Sequence, residues 1–327
     1  MMPALQWRQV ALCVVLAVAI SACEPQQLPG TDTSGPQIAL TFDDATRGPG
    51  PFFDGPERTQ KLIAALQSAD VGEAMFFVTT RNVDRQGESG TARIQAYTDA
   101  GHTLGNHSHS HQWLSRMDTD EYIADLDLAV QKLASYEKVR SYYRFPFLDE
   151  GRSAAKRDRL RQALSERGLM NGYVTVDTYD WYLEALTQEA KEAGRELDID
   201  DLRSLYVDVL VSGTEFYDAM AQKTLGRSPR HVLLLHENDL AALFIDELVA
   251  ELRSRGWTII PATAAFADAI AELEPDTLFL GQGRIAAIAH EAGATPASLV
   301  SPEEDEEYLK RRFDAEVVKV VSGHDHH

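Results

Sequence analysis

The chain has 327 residues, and its 51 Asp and Glu against 31 Lys and Arg leave a formal net charge of −20. A field of that sign repels nucleic acid and other polyanions, so a neutral or cationic substrate is easier to reconcile with it. The only cysteines are Cys13 and Cys23, both near the N-terminus. Disulfides and cysteine-based metal sites are therefore excluded from the body of the chain, and any metal there must be held by His, Asp or Glu.

Arg8 supplies a basic flank to an apolar run over 10–20 that is too short to span a membrane. Small residues then lead to a cysteine in Ile20-Ser21-Ala22-Cys23, a sequence that resembles a bacterial lipobox. The resemblance implies a leader over 1–22 and lipidation of Cys23, with the membrane as a partner through that anchor. An ordinary secretory signal cleaved near Ala22 is the alternative, and it too implies export. Glu24 after the cysteine favours the outer membrane, so the expected location is a cell-envelope lipoprotein on its periplasmic face. Residues 23–36, rich in Pro, Gly and small polar residues, read as a flexible tether.

From residue 37 onward strand-like apolar runs alternate with helical patterns. Strands are predicted at 37–42, 74–80, 102–107, 142–147, 171–177, 231–236 and 257–261. Helices are predicted near 57–69, 91–100, 119–136, 154–167, 198–222 and 239–255. Leu62, Ile63 and Leu66, and then Leu126, Ala129, Val130 and Leu133, recur at the spacing of one buried helical face. Such alternation indicates a parallel sheet covered by helices. About seven units suggest a distorted, incomplete (β/α) barrel over 37–275, with a doubly wound open sheet as the alternative fold. The stretch 178–230 is too long for a plain crossover and is expected to contain two helices. Residues 276–327 read as a helical extension and tail. Acidic residues from Glu303 and basic ones from Lys310 to Arg312 suit the two ends of a solvated helix without a binding role.

Three predicted strands end in chemistry-bearing residues: Asp43-Asp44, His107-Ser-His-Ser-His111, and His236. A barrel of parallel strands gathers its strand C-termini on one face, which predicts a single site. His107 and His111, four apart, reach one side of a helical turn or tight loop, a spacing that zinc hydrolases use for two ligands. His107 with His109 on an extended strand is the competing arrangement, but it needs further histidines at later strand ends, where only His236 occurs. Adjacent carboxylates at a strand end point in different directions, so Asp43 and Asp44 can hold different roles, one on a metal and one towards substrate. Two His and one Asp leave a coordination position open, as in a catalytic rather than a structural zinc site.

Thr41-Phe42-Asp43-Asp44, His107 to His111, Arg144-Phe-Pro-Phe147, Asp177-Thr-Tyr-Asp180-Trp181 and Leu234-Leu-His236 resemble the five ordered motifs of the polysaccharide deacetylase (NodB-like) family, which includes chitin and peptidoglycan N-deacetylases. The resemblance spans about residues 37–262. It implies a metal-dependent hydrolase acting on carbon–nitrogen non-peptide bonds, with an N-acetylated glycan as substrate. Asp44, His107 and His111 would bind the metal, usually Zn2+, with Co2+ or Ni2+ as substitutes. Asp43 would be the base towards a metal-activated water, and His236 the acid that protonates the departing amine. Asp180 would orient His236, Arg144 would tune Asp43, and the backbone N–H of Phe147 would stabilise the oxyanion. Leu234 and Trp181 would enclose the acetyl methyl.

The family's glycine after the arginine motif is delayed here to Gly151, which offers Asp149 or Glu150 to the substrate, unless both belong to a surface turn. His109 is assigned to the rim of the site. Two other hydrolase readings share the same metal site: O-deacetylation of an envelope polysaccharide, and deformylation of a lipid-linked sugar. A non-catalytic glycan-binding lipoprotein is the reading from another class. Neither the glycan nor the oligomeric state is legible in the sequence.

Overall fold

The computed structural model describes residues 35–319. The expected leader, Cys23, most of the tether and the closing His324-Asp-His-His lie outside the described residues.

Seven parallel strands form one curled sheet: β1 (Gln37–Ala45), β2 (Met75–Val78), β3 (Thr103–Asn106), β4 (Val139–Tyr143), β5 (Met170–Asn171), β6 (Arg230–His236) and β7 (Thr258–Ile259). The order is β5-β4-β3-β2-β1-β6, and β7 also pairs with β1. The crossovers contain α1 (Gly55–Ser68), α2 (Thr80–Gln86), α3 (Glu88–Asp99), α4 (Thr119–Leu133), α5 (Ala154–Glu166), α6 (Asp180–Glu192), α7 (Ile199–Leu225) and α8 (Asp239–Ser254). Beyond β7 come α9 (Ala262–Ala265), α10 (Gly283–Glu291) and α11 (Glu306–Glu316). This is the distorted, incomplete (β/α) barrel expected from the strand–helix rhythm. No helix among the described residues is long and apolar enough to cross a membrane.

Local chemistry sets the helix boundaries. Asp54 caps α1 by accepting the Glu57 N–H, and a proline follows at the start of the helix, where its missing N–H costs nothing. Asp198 caps α7, and Gly226, in the left-handed region at φ 73°, ends it. The stretch 178–230 holds α6 and α7, two helices as its length requires. The core lies between the sheet and these helices, built from Ile38, Leu40 and Phe42 of β1 with Leu62 and Leu66 of α1, Leu210 of α7, and Ile245 and Leu248 of α8.

Two expectations need correction. The apolar run 171–177 is not one strand. Residues Met170–Asn171 pair with β4, and Val176 then bridges to Leu233 on β6, so the segment crosses the gap between the two ends of the sheet. Gly172 sits at the break, where a Cβ would lie 2.7 Å from the Phe77 ring. The acidic-to-basic C-terminal helix is not merely solvated. Leu309 and Phe313 of α11 are fully buried and belong to the main core, because α11 packs on α6 and α7.

Candidate active site

The C-terminal ends of β1 and β6 are in register, with Asp43 opposite His236. A parallel sheet therefore brings the first and last motifs side by side before any side chain is considered. The mouth above these strand ends is a cavity of about 820 Å³ lined by Asp43, Asp44, His107, His111, Leu234 and His236, among others.

The loop after β3 turns tightly. Asn106 Oδ1 accepts the Ser108 N–H at 2.8 Å, and Ser108 Oγ accepts the His111 N–H at 2.9 Å. Asp125 of α4 accepts the N–H groups of His109 and Ser110. Asp44, Ser108, His111, Phe147 and Leu148 all have φ between 49° and 68°. That region is uncommon for residues other than glycine, and strained backbone of this kind clusters at functional sites.

Asp44, His107 and His111 each offer a ligand atom within 4.8 Å of the others. His111 Nε2 lies 3.0 Å from Asp44 Oδ1, and His107 Nε2 lies 3.7 Å from the same oxygen. His107 Nδ1 lies 2.9 Å from the Arg144 carbonyl, which fixes its proton on that nitrogen and leaves Nε2 as a lone-pair donor to the cavity. Burial lowers His107 to about 4 despite Asp43 nearby, so the ring is neutral near pH 7. For Asp44, burial alone would raise the pKa, but His111, His236 and His107 hold it well below the usual carboxylate range. A neutral imidazole, a second imidazole and an ionised carboxylate converging on one point suit a divalent cation that accepts nitrogen and oxygen ligands. The structure pairs His107 with His111 here. His109 turns away, with Nδ1 2.9 Å from Thr80 Oγ1.

Asp43 is buried and tied to Arg144, whose Nη1 donates to Oδ1 at 2.7 Å. The guanidinium also donates to Thr41 Oγ1 and to the Gly172 carbonyl, and lies 3.9 Å over the Phe77 ring. Such complete enclosure fixes the orientation of Asp43. Its other oxygen stands 3.6 Å from His107 Nε2, beside the candidate metal position. Asp180, the first residue of α6, lies with Oδ1 2.7 Å from His236 Nδ1. Burial disfavours the His236 imidazolium, but Asp180 and Asp44 outweigh it and its pKa is raised.

Leu234 and Trp181 both line the cavity. Phe147 contributes more than its backbone, since its ring stacks on Trp113 at 4.0 Å and 3° and meets the His111 ring edge-on at 4.6 Å. Asp149 does not face the cavity. It is buried and accepts the N–H groups of Ser115 and Gly151, holding the loop after β4 in shape. Glu150 accepts from Asn171 Nδ2 instead. Among the lining residues that sequence reasoning missed are Arg47, Trp113, Arg152, Glu184 and Glu306. Trp113 alone carried a local signal, as an aromatic two positions after His111.

Residues 30–170 match the family model described as polysaccharide deacetylase. A peptidoglycan-N-acetylglucosamine deacetylase of Bacillus cereus is 30% identical over 155 residues, covering 45% of this chain and 49% of the relative. Chitin deacetylase 1 of Saccharomyces cerevisiae is 26% identical over 152 residues, covering 46% of this chain and 43% of the relative. The chain thus spans about half the length of these two curated relatives. Among solved structures, a polysaccharide deacetylase from Bacillus cereus has a TM-score of 0.50 at 19% identity, covering 69% of this chain and 92% of the other. That likeness is one of fold.

Proposed function

We propose that this chain is a metal-dependent hydrolase that removes N-acetyl groups from an N-acetylated glycan. The observation that carries the reading is the convergence, in one cavity, of an oriented carboxylate (Asp43), a candidate metal triad (Asp44, His107 and His111) and a carboxylate-held histidine (His236). A neutral amide needs both a base and an acid, and Asp43 and His236 stand at paired positions on β1 and β6, both lining the cavity.

A divalent cation held by Asp44, His107 and His111, zinc in the first instance, would polarise the acetamide carbonyl and lower the pKa of a water. Asp43, with one oxygen engaged by Arg144, keeps the other for the proton of the attacking water. The N–H of Phe147 is the proposed backbone donor to the oxyanion. His236 delivers a proton from Nε2 to the departing amine, because Asp180 occupies Nδ1. Leu234 and Trp181 supply apolar surface for the acetyl methyl. The Trp113–Phe147 stack, with Phe147 41% exposed, offers an aromatic face to a sugar ring.

The test is acetate release from N-acetylglucosamine oligomers with and without chelator. Parallel assays on O-acetylated and N-formylated sugars separate the ester and deformylase readings, which share this metal site. Release from none of them would leave the glycan-binding reading. We further propose export and a lipid anchor at Cys23, placing the enzyme on the periplasmic face of the outer membrane. Labelled palmitate should be incorporated by the natural chain and lost in Cys23→Ala.

A further inference from the structure

Arg47, just beyond Asp43-Asp44, lines the cavity with no ion-pair partner among the described residues. Its Nη1 is enclosed and makes no hydrogen bond. The nearby carboxylate of Glu184 is engaged elsewhere, its two oxygens accepting the N–H groups of Asp239 and Leu240 at 3.1 and 3.2 Å at the start of α8.

The backbone of Arg47 is clamped from both sides by buried charge. Its N–H donates to Glu237 Oε2 at 2.7 Å, and its carbonyl accepts from Arg93 Nη1 at 2.8 Å. Arg93 Nη2 and Tyr97 Oη both donate to Glu237 Oε1, at 2.6 and 2.7 Å. Farther along the same loop, Arg58 donates to the Gly48 carbonyl and to Asp239, which itself accepts the N–H groups of Phe52 and Phe53. Burying this many charges is costly. None of them lines the cavity, and their common product is a fixed loop that presents Arg47 to it.

We propose that Arg47 is a specificity-determining residue that binds an anionic substituent, a carboxylate carried by the reacting sugar or by its immediate neighbour in the glycan. A guanidinium already partly stripped of water and left unpaired gains more from an incoming anion than a solvated one does, because part of the desolvation cost is already met. A second cation, the exposed Arg152, lies on the same cavity. The chain's overall acidity does not oppose the contact, since exposed charges are screened within about 8 Å at physiological salt while a partly buried pair is screened much less. The inference rests on reading the cavity as a glycan site.

The probes are three tetrasaccharides: the N-acetylglucosamine tetramer, one in which alternate sugars carry a 3-O-lactyl carboxylate, and the methyl ester of the second. Calorimetric Kd and kcat/KM are read for each. The natural chain should favour the carboxylate over its ester about tenfold or more, as a charge-assisted hydrogen bond predicts, and less so at high salt. Arg47→Gln should bring that ratio near one, and Arg47→Lys should restore part of it. A merely structural role would lower all three probes in parallel and keep the ratio. Equal binding of acid and ester by the natural chain, or a ratio unchanged in Arg47→Gln, overturns the proposal. If Arg47→Gln does not fold, the acid-to-ester ratio of the natural chain and of Arg47→Lys decides. Preferential binding of the acid without acetate release from any probe would sink the deacetylase reading and leave the role of Arg47 standing.

Discussion

Asp180 holds His236 with both of its carboxylate oxygens: Oδ1 lies 2.7 Å from the ring Nδ1, and Oδ2 accepts the backbone N–H of the same residue at 2.8 Å. The ring is thereby fixed in tautomer and direction, with Asn238 Nδ2 donating to Oδ2 as well.

The pH profile follows from that pair. Burial lowers the His236 pKa, but Asp180 and Asp44 raise it further than burial lowers it, so the ring stays protonated above its ordinary value of 6.5. A general acid works while protonated, so activity should fall as pH rises through the raised pKa. A cation on Asp44 would weaken that carboxylate's pull and leave Asp180 as the main support. Asp180→Asn should therefore move the alkaline limb to lower pH and reduce kcat at pH 8 on the order of 10²-fold. Steady-state rates from pH 5 to 9 check both effects.

Asp43→Asn tests the base. The amide keeps the shape of the side chain and its place beside Arg144 but cannot take a proton. Acetate release should fall about 10²- to 10⁴-fold, with metal content by elemental analysis unchanged.

Removing ligands should separate the triad from the base. His111→Ala should lose the stoichiometric cation and most of the activity, and chelation of the natural chain should do the same reversibly. Because a ligand that binds only the folded state stabilises it, the chelated protein should also melt at a lower temperature, readable by calorimetry.

Trp113→Ala removes one face of the stack with Phe147. An aromatic contact of this kind contributes about 0.5–1.5 kcal/mol, so KM for a glycan oligomer should rise roughly twofold to twelvefold. The kcat should change much less, as a titration with oligomer length would show.

Glu304, in the C-terminal segment, accepts from Tyr217 Oη at 2.5 Å and acts electrostatically on the buried Asp177, which lines the cavity. Burial raises Glu304 from 4.5 to about 7. Between those values the folded state binds more protons than the unfolded one, so this group's contribution to stability declines as pH rises through that window. Glu304→Gln does not titrate, and its stability relative to the natural chain should improve from pH 5 to pH 8, on the order of 1–3 kcal/mol. Urea unfolding at the two pH values measures the difference.

Much of the candidate site is legible in the chain because each strand delivers its residues consecutively. Asp43 and Asp44 follow an apolar run, as do His107 and His236, and parallel strands must end on the same side of the sheet. Spacing alone leaves the choice of His107 with His111 open, and the tight turn through Ser108 is what points both rings at Asp44. Sequence alone leaves Asp149 available to substrate, yet its carboxylate is consumed by two backbone N–H groups of a loop whose path no local pattern specifies.

Sequence by itself determined the alternation of strand and helix, the motif residues, and the absence of thiol chemistry from the body of the chain, since all of these are local properties of residue type and order. Only the tertiary structure decided that the run after β5 crosses to β6, that α11 packs into the core, and that Arg47 faces the cavity unpaired. Those outcomes depend on which distant groups meet: Val176 with Leu233, Phe313 with the core of α6 and α7, and Glu237 with the backbone of a loop 190 residues away. Hydrogen bonding and burial reward such meetings only once the sheet has curled.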